Sequence, residues 1–299
     1  MIKINKKIFK NLSEYILAVA AYGLYYFIYY LVPLKVSSAI GGFLGRTFLY
    51  YFPFQRKYEV LKNIKFCFPK KSDKEIKEIY KDACDNFLRV IFELPKINII
   101  YSTNAIKILD PYNYIEQSRE KKMLFFTAHI GNWELIGFPF IFKPYTDAVY
   151  KAPANHSLEN LFLNVRTKNV KGSLHQMFTL NTKTLKLLNQ RLKNYPLTII
   201  MLVDQRIKEG LAVSFFDRIA LTSPFLPLLA LKYNIPLIPI RVIRDKDGGF
   251  TLTVEKELTH VKTANNQQDI SNLTQAMNDK IQEWVTQHPK QWFWLHRRW

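Results

Sequence analysis

Four short apolar runs, separated by longer segments with helical periodicity, constrain the fold of this chain more than any other feature. MLFFTA (123–128), LTIIMLVDQ (197–205) and PLIPIRVI (236–243) are nearly uncharged, whereas FTLTVEKEL (250–258) alternates as a more exposed strand does. Continuous apolar runs are typical of strands that are buried on both faces, and strands that alternate with helices indicate a mostly parallel sheet. The sequence therefore predicts an α/β fold in which helices flank a mostly parallel sheet.

The helices between these strands have recognisable ends. SDKE (72–75) is predicted to form a capping box, and apolar residues then recur at helical spacing over 76–94. Ser271 is predicted to open a last helix near the C-terminus. Because no internal repeat or obvious linker follows residue 50, we expect a single α/β domain over residues 51–299.

The first 50 residues have a different composition. YILAVAAYGLYYFIYYLVPL (15–34) contains no charged residue, and a helix needs about 20 such residues to cross a bilayer. Its tyrosines, Tyr25 and Tyr29 among them, are typical of the membrane–water boundary, and basic residues stand on both sides of it. We expect residues 1–50 to form a membrane-anchoring segment, whose helix either spans the membrane or lies tilted in one leaflet.

The charge balance indicates anionic partners. The chain has 43 Lys+Arg against 24 Asp+Glu, a formal net charge of +19, which favours nucleic acid, an anionic membrane or an acidic protein. The basic residues are spread along the chain without a nucleic-acid-binding motif, so no nucleic acid is expected. Cys67 and Cys84 are the only cysteines, and no histidine pair has ligand spacing, so no zinc site is expected.

The first buried strand is followed directly by TAHIGNWEL (127–135), which contains the main candidate catalytic residues. His129 ends the strand, Gly131 permits a sharp turn, and Glu134 falls on the first turn of a helix predicted to begin near Asn132. The ends of strands in α/β proteins border the crevice that binds ligands. A carboxylate at Nδ1 leaves Nε2 free as a base, so the spacing predicts that Glu134 orients His129 for general base catalysis. The alternative is a turn without chemistry.

HIGNWE (129–134) resembles the H-x4-D/E block of the lipid A late acyltransferases. The likeness extends to RKYEVLKNIKFCFP (56–69), VDQRIKEGLAVSFFDRIALTSP (203–224) and QWFWLHRRW (291–299), which resemble segments of that family in the same order. Together they span most of the chain, and this makes the resemblance more specific than the pair of His129 and Glu134, the dyad, would be alone. One departure is Asp217, which stands where relatives commonly carry glycine.

The resemblance implies an enzyme of the bacterial inner membrane whose active site lies on the cytoplasmic face. It would move a fatty acyl chain from acyl carrier protein to a hydroxyl of a lipid A precursor, without a cofactor. The family's general base and its carboxylate partner would be His129 and Glu134. The remaining candidates are assigned to substrate binding: Arg166, which matches an arginine of the family, Asp204 and Gln205, which match its DQ pair, and Asn132.

Alternatives remain open at several of these positions. A related enzyme could use the same dyad on a glycerophospholipid or another glycolipid, and a basic membrane-associated binding protein would need no catalysis. Arg166, Asp204 and Gln205 could each have a purely structural role. The C-terminal aromatic and basic residues could either anchor at a lipid interface or pack, and we favour packing, with His296 as a structural histidine; the residues concerned are Trp292, Trp294, Trp299, Arg297 and Arg298.

Overall fold

The computed structural model describes most of the chain. The described residues are 6–52, 56–140, 143, 145–150, 159–160, 163–164, 166, 176–259 and 263–299, with side chains from residue 19 onward apart from residue 182. The N-terminal Lys3, and His156, His175 and His260, lie outside these ranges.

A seven-stranded sheet forms the centre of the fold. Its strands, in spatial order, are β1 (Ile106–Leu109), β9 (Phe250–Val254), β8 (Leu237–Arg244), β2 (Met123–Thr127), β5 (Thr198–Leu202), β3 (Thr146–Tyr150) and β4 (Gln176–Thr179). Neighbouring strands pair in parallel, except for the antiparallel pair β8–β9. The predicted α/β class and the mostly parallel sheet are therefore confirmed.

A small antiparallel hairpin, which was not predicted, is formed by β6 (Leu211–Phe215) and β7 (Arg218–Thr222). Its two turn residues, Phe216 and Asp217, have φ angles of 51° and 58°. This left-handed conformation favours glycine, and Asp217 adopts it although it has a side chain.

Helices cover the sheet. They are α3 (Lys57–Cys67), α4 (Asp73–Glu93), α5 (Ile97–Ser102), α6 (Tyr114–Gln117), α7 (Thr182–Asn194), α8 (Phe225–Tyr233) and α9 (Asn266–Gln287). The capping box that was predicted at the start of α4 is present, with Ser72 and Glu75 each accepting the other's backbone N–H. Helix α9 begins five residues before Ser271, because the side chain of Asn265 accepts hydrogen bonds from two backbone N–H groups of its first turn.

The uncharged run β2 is buried because both faces of the sheet are covered. Leu124 and Phe126 lie in one apolar cluster, where Phe126 stacks on Trp284 of α9 at 5.9 Å. Phe125 points to the other cluster, where its ring lies 5.0 Å from that of Phe140. Alternation of side chains across the strand therefore supplies apolar groups to two cores.

Two N-terminal helices pack near α4. Helix α1 (Lys6–Leu31) is followed by α2 (Leu34–Leu44) and a short π-helix (Gly45–Leu49). The glycine face of α2 approaches α4 closely: a Cβ at Gly41 would lie 2.6 Å from the carbonyl oxygen of Leu88. Among the described residues, no helix combines the length and the apolarity that a membrane span requires.

The C-terminal tryptophans pack against the core, which was the alternative favoured from the sequence. Trp292 and Trp294 are buried, and their rings meet edge to face at 4.5 Å. Arg298 is buried as well, with its guanidinium donating to Asn278 and Thr222, whereas Arg297 is exposed. The segment therefore completes the core beside β2 and β5.

Candidate active site

His129 lies at the carboxyl edge of the sheet, opposite Asp204 on the neighbouring strand. The last register pair of β2 and β5 is Thr127 with Leu202, so His129 and Asp204 each stand two residues beyond it. Their side chains meet, with His129 Nδ1 2.7 Å from Asp204 Oδ1, and the backbone N–H of His129 donates to Asp204 Oδ2 at 2.9 Å. Adjacent parallel strands thus bring an imidazole and a carboxylate into contact.

Asp204 fixes the protonation of this pair. Its side chain is fully buried and accepts a further hydrogen bond from Trp292 Nε1 at 2.9 Å. Burial alone would raise the pKa of Asp204, but the charge and hydrogen bonds of His129 outweigh it and hold that pKa well below its usual value. An ionised carboxylate only accepts hydrogen bonds, so Nδ1 carries a proton and Nε2 is the ring nitrogen that can act as a base.

Glu134 has a different partner from the one we expected. Its carboxylate accepts two hydrogen bonds from Arg166, Nε to Oε2 at 2.7 Å and the terminal nitrogen to Oε1 at 2.6 Å. Burial opposes ionisation of Glu134, yet Arg166, with a smaller contribution from His129, keeps its pKa below the usual value. The expectation that Glu134 orients His129 through Nδ1 is corrected, because Asp204 occupies that position. Glu134 instead forms a bidentate ion pair within electrostatic reach of the imidazole.

The turn between His129 and Glu134 depends on Gly131. Its φ of +59° lies in the left-handed region, and a Cβ there would overlap the carbonyl oxygen of Val242 in β8. The following segment, Trp133–Phe140, is a 3₁₀ helix rather than the α-helix that was expected near Asn132. Pro139 inside it lacks the N–H that a continuing α-helix would need.

A buried polar network supports this turn. Asn132, which we had assigned to substrate contact, is only 2 % exposed; its Nδ2 donates to Glu93 at 2.8 Å and its Oδ1 accepts the backbone N–H of Glu134. Glu93 in turn forms a bidentate ion pair with Arg244, and Asn86 donates to the carbonyl of Gly131 at 2.8 Å. The side chain of Asn132 is therefore buried in this network, where it positions the backbone of Glu134.

Gln205 and the C-terminal segment complete the surroundings of His129. The amide nitrogen of Gln205 lies 3.4 Å from His129 Nε2, the atom assigned as base. The backbone N–H of Phe293 donates to the carbonyl of His129 at 2.8 Å. His296 is held against the carbonyl oxygens of Phe293 and Asp204, and burial lowers its pKa to about 4, so it is neutral at pH 7 and has the contacts of a structural histidine.

The remaining candidate groups are metal ligands and the two thiols. Over the part of the chain that the structure describes, no group of three or more histidine, cysteine or carboxylate side chains could hold a metal ion. Cys67 and Cys84 do not form a disulfide, and burial raises the pKa of each thiol to about 12.

A comparison with known families identifies the family of this chain. The family model described as bacterial lipid A biosynthesis acyltransferase matches residues 2–299. The chain belongs to this acyltransferase family. Its resemblance to the lipid A acyltransferases, noted from four sequence segments, is therefore confirmed over nearly the whole chain. No match was found among curated protein sequences.

Membership in the lipid A acyltransferase family gives the class of reaction, the transfer of an acyl group. Sequence reasoning missed Asp204 as the partner of His129 and missed Glu93 and Arg244 altogether. The position of Asp204 directly after a buried strand was the available signal, since such residues share one edge of the sheet.

Proposed function

We propose that this protein transfers a fatty acyl chain from acyl carrier protein to a hydroxyl of a lipid A precursor, with His129 as the general base. The observation that carries the proposal is the 2.7 Å contact between His129 Nδ1 and the buried, ionised Asp204. The family supplies the reaction class and the lipid A pathway, and the net charge of +19 suits an acidic carrier protein and a phosphorylated acceptor.

In the proposed mechanism both substrates bind together. His129 Nε2 removes the proton of the acceptor hydroxyl while its oxygen attacks the thioester carbonyl carbon. The tetrahedral intermediate then expels the thiolate, which takes the proton back from the imidazolium, so an ester and a free thiol result. Asp204 stabilises the imidazolium during the reaction, because its negative charge lies against Nδ1 throughout.

The Glu134–Arg166 ion pair has a separate role in this proposal. Arg166 places a positive charge near the base, where it could stabilise the oxyanion or bind a phosphate of the acceptor. Glu134 holds that guanidinium by two hydrogen bonds and is itself held by Asn132 and Trp133. The pair is thus a candidate for substrate positioning.

Mass spectrometry of lipid A from cells that lack the protein tests this function. We expect lipid A short of one acyl chain, restored by the wild-type protein and not by His129→Ala at equal expression. Lipid A of unchanged mass, with acyl transfer to lysophosphatidic acid by the purified protein, would instead favour a glycerophospholipid acceptor. Unchanged lipid A without any acyl transfer would favour a non-catalytic binding protein.

We also propose attachment to the inner membrane with the site on its cytoplasmic side. Support comes from the face of α2 and the π-helix that points away from α4, which carries Val36, Ile40, Phe43 and Phe48. Phe43 and Phe48 are 66 % and 64 % exposed, an arrangement that costs free energy in water and is favourable in the headgroup region of a bilayer.

Co-sedimentation with vesicles that contain anionic lipid tests this attachment. The double variant Phe43→Ser and Phe48→Ser should lose most of its vesicle binding, while a variant at another exposed aromatic residue, Phe66→Ser on α3, should bind as the wild type does. Equal binding of the wild type and the double variant would exclude this face as the attachment surface.

A further inference from the structure

Two aromatic side chains lie beside His129, and a third packs against one of them. They come from three separate elements: Phe87 from α4, Trp133 from the 3₁₀ helix, and Phe293 from the C-terminal segment. The ring of Trp133 lies 5.3 Å from the imidazole and that of Phe293 lies 6.1 Å from it. Trp133 and Phe293 are 5.8 Å apart, and Phe87 stacks on Phe293 at 4.6 Å. We call these three side chains the aromatic wall.

The aromatic wall keeps an accessible apolar surface. All three of its residues are partly exposed, whereas Trp292 and Trp294, which flank Phe293 in sequence, are buried in the core. The one polar side-chain atom of the wall, Trp133 Nε1, donates to Glu134. The wall therefore offers ring surface without an unsatisfied donor, beside the proposed base.

We propose that the aromatic wall binds a fatty acyl chain close to the reacting carbonyl, an inference that rests on the proposed function. A hydroxyl oxygen that is hydrogen-bonded to His129 Nε2 and attacks a thioester brings the first methylenes of the donor within a few ångströms of the imidazole. Each methylene that leaves water for an apolar surface contributes about fourfold in affinity. Rings at 5–6 Å from the imidazole are placed to contribute in this way.

The fatty acyl chain that the wall binds has two possible sources. The acyl donor delivers one acyl chain, and the lipid A precursor already carries others. Both present the same methylene surface, so the wall alone does not distinguish them. Varying the donor length and varying the number of chains on the acceptor separate the two sources.

Phe87→Ala is the informative variant. Phe87 contacts the ring of Phe293 and not that of His129, and alanine favours the helix in which it lies. The matched control is Phe66→Ala, because Phe66 is 44 % exposed on α3 and lies against Arg218. Each protein is assayed for kcat and KM over a series of donor lengths and with acceptors that carry more or fewer acyl chains.

With a long donor, Phe87→Ala should lose about tenfold in kcat/KM, mostly through KM, because part of the apolar contact is removed. If the wall binds the donor chain, the loss in kcat/KM should become smaller as the donor is shortened. If the wall binds a chain of the acceptor, the loss should become smaller as the acceptor carries fewer acyl chains. Phe66→Ala should match the wild type. A loss that depends on neither chain, or no loss, would overturn the inference.

A binding measurement separates this inference from the proposed function. The affinity of a non-reactive acyl-pantetheine thioether is measured for the wild type and for Phe87→Ala, with long and short chains. If the wild type binds the long analogue more tightly and Phe87→Ala loses that preference, the wall binds acyl chains even without turnover. The alternative result is that the wild type shows no preference for long acyl chains, either in this binding assay or in kcat/KM. That result would overturn the inference that the wall binds acyl chains, whatever reaction the protein catalyses.

Discussion

His129 and Asp204 each stand two residues beyond the last register pair of two adjacent parallel strands, and their side chains meet at 2.7 Å. Because Asp204 is buried and ionised, it selects the imidazole tautomer with a free Nε2. Glu134, five residues from His129 in sequence, is bound to Arg166 instead. The contact across the sheet therefore defines the acid–base pair.

Asp204→Asn should reduce kcat by about 10²–10⁴ while the fold is retained. An amide can donate to Nδ1 and so stabilise the wrong tautomer, and it provides no charge for the imidazolium. Initial rates with saturating donor and acceptor, together with circular dichroism, measure both effects. A rate within about threefold of the wild type would remove Asp204 from the mechanism.

Glu134→Gln and Arg166→Lys should each lower kcat/KM by about 10–100-fold, since either change breaks the bidentate pair. If the two residues act as a unit, the double variant should lose far less than the product of the two single losses. A double-mutant cycle on kcat/KM measures this coupling. Losses that simply multiply would show that the two side chains act independently.

Gly131→Ala should destabilise the protein by more than about 3 kcal/mol, because a Cβ would overlap the Val242 carbonyl at a φ of +59°. Gly137→Ala is the matched control: Gly137 is exposed on the adjacent 3₁₀ helix, with open space where its Cβ would lie, and should change stability by less than about 1 kcal/mol. Urea unfolding of the two variants and the wild type measures the change in the free energy of unfolding. Equal stability of the two variants would contradict the proposed role of the turn.

His296 should make the stability of the protein depend on pH. Burial lowers its pKa to about 4, so between pH 6.5 and pH 4 the unfolded chain binds a proton that the folded chain does not. Stability should therefore fall as the pH falls, by about 2 kcal/mol from pH 7 to pH 5 on account of this group. Urea unfolding at pH 7, 6 and 5 measures it.

His296→Gln should lose most of this pH dependence. His288→Gln should keep most of it, because burial and Arg241 also lower the pKa of His288, but His288 is only partly buried. A wild-type protein whose stability is constant from pH 7 to pH 5 would contradict the assignment. So would a His296→Gln variant that retains the full dependence.

The local features of the fold were predictable, because short-range chemistry determines them. The capping box at Ser72 and the buried run of β2 follow from propensity and periodicity over a few residues. The start of α9 was placed too late, since Asn265 supplies the N-cap and Ser271 lies inside the helix. The hairpin turn at Phe216 and Asp217 lacks the glycine that usually signals a left-handed turn.

The partners within the site were less predictable, because they depend on the order of strands in the sheet. His129 was identified from its position after β2, but only the adjacency of β5 places Asp204 beside it. Without that adjacency, the nearest carboxylate in sequence was the natural choice, and it was the wrong partner for Nδ1. Arg244 and Glu93 come together through β8 and α4, which no local pattern connects.

Membership in the lipid A acyltransferase family leaves the identity of the base as the central claim. The most direct measurement is the initial rate of acyl transfer from acyl carrier protein to a lipid A precursor, for purified wild type and His129→Ala with matching circular dichroism. We predict transfer by the wild type and a loss of at least about 10³-fold in the variant. Undiminished transfer by His129→Ala would contradict the account.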